Sequence, residues 1–121
     1  MDSLKGRQYL NLVTRRKNGE EVGTPMWFAV VGDKLYMTTR GNSGKVKRIG
    51  NHPQVTIARS SASGREQGPR LTARARVVEE ESLRQQAVAA LNKKYGLKKK
   101  LVDLALKFSK DKTEAILELE L

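Results

Sequence analysis

The sequence predicts a mainly antiparallel β-sheet closed into a small barrel, with helices packed outside it. Three observations carry that reading. Apolar and polar residues alternate over repeated short segments, and the connections between segments are too short for repeated crossover helices. No GxGxxG or Walker-type loop is present, so a parallel doubly wound nucleotide-binding sheet is disfavoured.

Taken in order, Gln8 to Arg15 alternates with Leu10 and Leu12 on one face, and Lys17-Asn18-Gly19-Glu20 turns the chain. Thr24 to Val31 is the expected return strand, Gly32-Asp33 the next tight connection, and Lys34 to Thr39 a third strand, so the three read as a meander. A short helix is expected from Ser43, a good N-cap, with Val46 and Ile49 on one face and Gly50 as its stop. Gln54 to Ser61 is a strand and Ala62 to Pro69 a polar loop. On the next strand Leu71, Ala73, Ala75 and Val77 alternate with Thr72, Arg74 and Arg76, one face apolar and the other cationic. Glu79-Glu80-Glu81 opens a helix with the expected charge at its start, carried by Leu83, Ala87, Leu91 and Tyr95 and ended by Gly96. A further helix is expected over Lys99 to Lys110, then a last strand in which Ala115, Leu117, Leu119 and Leu121 alternate with Glu118 and Glu120.

The chain of 121 residues fits one domain, residues 1–121, with one modest core. It has no cysteine, which excludes disulfides, thiolate metal sites and cysteine nucleophiles. Its apolar runs are far shorter than the roughly 20 residues that span a bilayer, and MDSLKGRQYL has no secretory apolar region. A soluble, cytoplasmic protein is the expectation. The formal charge is +11. It concentrates between Lys34 and Val78, where Lys34, Arg40, Lys45, Lys47, Arg48, Arg59, Arg65, Arg70, Arg74 and Arg76 face the single acid Glu66. Such a field concentrates anions, whether nucleic acid, membrane phosphate or a phosphorylated small molecule.

Side-chain catalysis finds little support. His52 is the lone histidine, and in Asn-His-Pro it reads as a turn residue, with no second histidine for a metal site. The paired acids Glu20-Glu21 and Glu79-Glu80-Glu81 read as a turn and a helix start. No catalytic residue and no metal ligand is assigned. One convergent set remains. Thr38, Thr39, Ser43, the amides from Gly41 to Lys45, and Lys45 itself supply hydroxyls, free N–H groups and an ammonium, which is the chemistry of a phosphate cradle. Lys45, Lys47 and Arg48 sit in the first turns, where the helix dipole favours acids by roughly 0.3 to 1 kcal/mol each. That anomaly points to an anionic partner. The alternative is a solvated basic helix on a barrel.

Leu10 to Ala58 resembles the first half of the pyridoxamine 5'-phosphate oxidase-like split β-barrels, and more narrowly the class that uses the deazaflavin coenzyme F-420. The residues that carry the resemblance are Thr24-Pro25-Met26-Trp27-Phe28, Thr39-Arg40-Gly41, Ser43-Gly44-Lys45 with Arg48-Ile49, and Asn51, Pro53 and Val55. The rest of the chain, Lys94-Tyr95-Gly96 included, is compatible. The resemblance implies a Greek-key split barrel and a homodimer with the cofactor in a groove at the subunit interface. It implies that Lys45 contacts the cofactor phosphate, supported by Thr38, Thr39 and Ser43, with Arg40, Lys47 and Arg48 nearby. Backbone groups of Pro25, Met26 and Trp27 would hold the ring, and Arg59, Arg70 and Arg74 would reach the groove from either chain. The implied activity is hydride transfer between reduced F-420 and an electrophilic small molecule such as an enone or quinone. Related barrels hold FMN, FAD or haem, so a flavin oxidoreductase and a non-catalytic binding protein are the alternatives. Nucleic-acid binding is the remote one, because Trp27, Phe28 and Tyr36 lie in strands expected to be core.

Overall fold

The computed structural model describes residues 4, 6–40, 44–96 and 114–121. Strands β1 (Tyr9–Arg15), β2 (Glu21–Met26), β3 (Phe28–Val31) and β4 (Lys34–Arg40) precede helix α1 (Gly44–Asn51). Strands β5 (Gln54–Ser60) and β6 (Leu71–Val77), helix α2 (Glu81–Tyr95) and strand β7 (Glu114–Glu120) follow. The expected helix over residues 99–110 and the N-cap Ser43 lie outside the described residues.

One antiparallel sheet takes the order β2-β1-β5-β6-β7-β4-β3. Its two end strands, β2 and β3, are separated in sequence by Trp27 alone. The sheet must therefore curl until its ends approach, which makes a split barrel. The single return strand expected over Thr24 to Val31 is thus two strands. Met26 pairs with Leu10 of β1, and Phe28 pairs with Met37 of β4. In a flat meander the middle strand serves both neighbours along its whole length; here each half serves one. The seam at the bend is closed by a side chain: the Tyr95 hydroxyl accepts the Phe28 N–H at 2.9 Å and lies 2.8 Å from the Gln8 carbonyl and 3.1 Å from that of Phe28.

Alternation decides what fills the barrel. Leu10, Leu12, Phe28, Leu35, Met37, Ile57, Leu117 and Leu119 are all fully buried in one cluster with Val55, Ala73 and Ala75. Each large apolar side chain removed from water there contributes about 1.5 to 3 kcal/mol. At the β3–β4 hairpin Gly32 has φ +63°, the left-handed value that the first position of a type II′ turn demands. The two helices cover different parts of the sheet. Ile49 of α1 enters the barrel core, whereas Ala87 of α2 packs with Tyr36, Val78 and Ile116 on the outside.

On that outer face the charges are paired. The buried Glu118 carboxylate accepts hydrogen bonds from the Tyr36 hydroxyl at 2.7 Å and the Arg76 guanidinium at 2.9 Å. Burial raises the Glu118 pKa, but these bonds and the Arg76 and Lys34 charges outweigh it and hold the carboxyl below its usual range. Burial and the same carboxylate push Tyr36 up to about 12. Arg76 also clamps Glu80, the N-cap of α2, through two bonds of 2.9 Å.

Candidate cofactor-phosphate site

Helix α1 carries no acid in its first turn. Ile49 anchors it in the core, and Lys45 lies one turn before it on the same side of the helix. Lys45 and Arg48, at i and i+3, are neighbours on one face. Lys45 is half-buried, and burial, with the Arg48 charge added, pushes its pKa below the usual lysine value. Arg48 is held from below, its Nε donating to Thr14 Oγ1 at 2.6 Å, with that buried hydroxyl 3.4 Å from the Val22 carbonyl. The Arg48 guanidinium lies against Gly44: a Cβ there would come within 2.6 Å of one of its nitrogens, so a larger residue would displace it. The expectation that Arg48 sits in the first turns is corrected, because in this eight-residue helix it falls in the last turn and only its guanidinium reaches back beside Gly44 and Lys45. Among the described residues neither cation makes an ion pair with a carboxylate. This is a phosphate-binding chemistry, and the residues fit the phosphate of a flavin-type cofactor.

The other expected site residues are placed as follows. Lys47 is exposed, on a different face of α1 from Lys45 and Arg48. Thr38 and Thr39 are half-buried at the end of β4, where alternation sends them to opposite faces: Thr39 pairs with Ala115 and Thr38 with Ile116. Arg40 pairs through its backbone with Glu114. Ser43 lies outside the described residues. Met26 is buried in the barrel core, and Pro25 faces outward against Gly64. Trp27 stacks on Tyr95 with ring centroids 4.5 Å apart and planes 10° from parallel. The side chains of this stretch are therefore engaged in packing. Its backbone is another matter, because β2 ends the sheet and, among the described residues, no strand neighbours its outer edge.

Arg59 is not brought to the cation pair. It sits opposite Leu10 and against Gly68, whereas Arg48 is anchored at Thr14. Four residues of strand, about 13 Å, separate the two positions on β1. Arg70 is committed to Glu66 at 2.9 Å and Glu21 at 3.1 Å. Arg74 is exposed and lines a groove of about 520 Å3 with His52 and Gln54. The cation excess of the central segment is thus partly neutralised by acids from outside it, Glu21, Glu80 and Glu118. The sequence reading missed Lys94, whose ammonium lies 3.4 Å from the centroid of the Phe28 ring. The only local signal was Lys-Lys-Tyr-Gly at a helix end.

Solved structures share this fold. The haem storage protein HutZ of Vibrio cholerae aligns with a TM-score of 0.72 at 21% identity, over 98% of this chain and 84% of that one. A pyridoxamine 5'-phosphate oxidase-related, FMN-binding protein of Nostoc punctiforme aligns with a TM-score of 0.62 at 19% identity, over 98% and 73%. An F420 reductase aligns with a TM-score of 0.60 at 22% identity, over 98% and 90%. No curated protein matches the chain. The sequence pattern of one family, pyridoxamine 5'-phosphate oxidase, matches residues 1–120. With that match over nearly its whole length and the curled barrel that goes with it, the chain belongs to the pyridoxamine 5'-phosphate oxidase family.

Proposed function

We propose that the chain binds coenzyme F-420 and transfers a hydride between its reduced form and an electrophilic small molecule. The observation that carries the reading is the half-buried Lys45 beside Arg48 at the start of α1, two cations with no carboxylate to neutralise them among the described residues. Lys45 and Arg48 would hold the cofactor phosphate, Thr14 keeping the guanidinium oriented. Free backbone groups on the outer edge of β2 would position the ring. When bound, the deazaflavin supplies the hydride; the protein supplies orientation, charge and exclusion of water. A homodimer with the cofactor at the interface, as in the sequence-based expectation, belongs to the same proposal.

F-420 is preferred over FMN because its phosphodiester continues into a lactyl and oligoglutamate tail with several carboxylates. Arg59, Arg65 and Arg74 make no ion pair with a carboxylate among the described residues and are available to such a tail, whereas FMN presents a single phosphate. FMN or FAD is the second reading, favoured by the likeness to the FMN-binding Nostoc protein. Fluorescence titration with both cofactors at two ionic strengths separates them. F-420 affinity is expected to rise with tail length and to fall with salt, since exposed pairs are screened over about 10 Å at 0.1 M. Tighter FMN binding with no tail-length dependence would overturn the assignment.

A further inference from the structure

A second cationic cavity lies away from α1, where the last turn of α2 meets β3 and the N-terminal segment. Its volume is about 580 Å3. Ala29, Val30 and Ala90 give it an apolar lining, Gly6 and Gln8 come from the N-terminal segment, and Lys93 and Lys94 bring two ammonium groups. Lys94 is half-buried, its Nζ 3.4 Å from the Phe28 ring centroid and 5.3 Å from that of Tyr95. Among the described residues neither lysine pairs with a carboxylate. An ammonium carries three N–H donors, and a ring face attracts the charge without providing an oxygen acceptor. The α2 C-terminus offers only about half a negative charge against these two cations, so the cavity stays net cationic. Burial also pushes Lys94 down to about 8, the direction expected of an ammonium short of an anion.

We propose that this cavity binds a small amphipathic carboxylate, its carboxylate paired with the Lys94 ammonium and its apolar body against Ala29, Val30 and Ala90. A monoanion with an apolar body matches one half-buried cation over an apolar lining. A phosphate ester would call for the cluster of free backbone N–H groups that a helix N-terminus provides, and this end of α2 is its C-terminus. No residue of α1 lines the cavity, so it is a separate place from the Lys45–Arg48 pair.

Trp27 is the only tryptophan, and it stacks on Tyr95 next to Lys94, so its fluorescence reports on the cavity. The full chain is titrated with octanoate, acetate and octanol. Octanoate is expected to give a saturable change, with acetate and octanol each needing much higher concentration. Lys94→Met, which keeps the length and removes a half-buried charge, should bind octanoate roughly tenfold or more weakly, the loss of one charge-assisted hydrogen bond. Lys94→Arg should retain binding within a few-fold. Octanol binding as tightly as octanoate would overturn the ion pair, and acetate saturating alongside octanoate would overturn the apolar contact. An unchanged octanoate affinity in a folded Lys94→Met protein, or no saturable change in the wild type, would overturn the site itself.

Discussion

Helix α1 and helix α2 handle charge in opposite ways. In α2 the N-cap Glu80 and first-turn Glu81 face the positive end of the dipole, and Lys93 and Lys94 occupy the last turn. Each follows the electrostatic preference of an isolated helix. The Glu80 carboxyl is also tied to β6, the Arg76 bonds holding it down at about 2. In α1 the first turn carries Lys45 and no acid, and Lys45 is desolvated beside Arg48. The charges at the start of α2 support the fold. In α1 only Lys45 works against the dipole, since Arg48 falls in the last turn, where a cation is favoured; a phosphate beside Lys45 would reverse the sign of that balance. A local violation of helix electrostatics beside a second cation that a neighbouring strand holds in place, as Thr14 holds Arg48, is a pointer to a ligand.

Substitutions can break this contrast, and the largest effects belong to α2. Tyr95→Ala empties a buried aromatic site, unstacks Trp27 and leaves the Phe28 N–H at the barrel seam without its partner. A loss of roughly 3 to 5 kcal/mol is expected in denaturant unfolding. Tyr95→Phe isolates the hydroxyl and should cost about 1 to 3 kcal/mol. If it is neutral, the seam is not held by that bond.

Next comes the carboxylate under α2. Glu118→Gln keeps the shape but weakens both charge-assisted bonds, at a cost of roughly 1.5 to 3 kcal/mol at neutral pH. The pH profile sharpens this test. The folded carboxyl lies below its unfolded value, so its stabilisation is fully present above the unfolded carboxylate pKa of about 4.3. That stabilisation is lost as pH falls through the folded value. Thermal unfolding followed downward from pH 7 should therefore show the gap between wild type and Glu118→Gln narrowing as the medium is acidified, and parallel curves would mean that the Glu118 charge does not stabilise the fold.

On α1 the effect moves from folding to binding. Lys45→Ala should weaken cofactor binding by about 1.5 to 3 kcal/mol while changing stability by less than about 0.5. An unchanged cofactor affinity in the folded variant would take Lys45 out of the site. Exchanging the two charge patterns tests the dipole argument itself. Lys45→Glu should raise stability by roughly 0.3 to 1 kcal/mol, by meeting the dipole and Arg48, and should nearly abolish cofactor binding. Glu81→Lys should lower stability by a similar amount and leave cofactor affinity alone. Stability changes of the same sign in both variants would show that the dipole argument does not govern these helices.

Much was legible along the chain because it depends on local periodicity. Leu10 and Leu12, Leu35 and Met37, and Leu117 and Leu119 lie on the buried face that their alternation predicts, and Gly96, with φ +56°, ends α2 where expected. Helix α1 runs one residue past Gly50, to Asn51, a difference decided by the His52 N–H bonding the Arg48 carbonyl. The candidate site was legible as an anomaly of charge type at a helix start and as a set of hydroxyls, amides and an ammonium close together in the sequence. The split of the return strand at Trp27 was not legible, since TPMWFAVV is apolar enough to continue and nothing local says that its two halves pair with different strands.

By itself, then, the sequence determined where most of the described strands and helices lie, which faces are apolar, and that Lys45 opens a helix against its dipole; all of these follow from spacings of a few residues. Only the tertiary structure decided which cations are already neutralised. Arg70 is closed by Glu21 and Arg76 by Glu118, whereas Lys45 and Arg48 are left facing each other. It likewise decided that Tyr95 seals the backbone of Phe28, 67 residues away, and that Tyr36 meets Glu118 across 82. The physical reason is range: a side chain's helical or strand position follows from its near neighbours, but its net charge environment depends on which distant strands the curl of the barrel brings beside it.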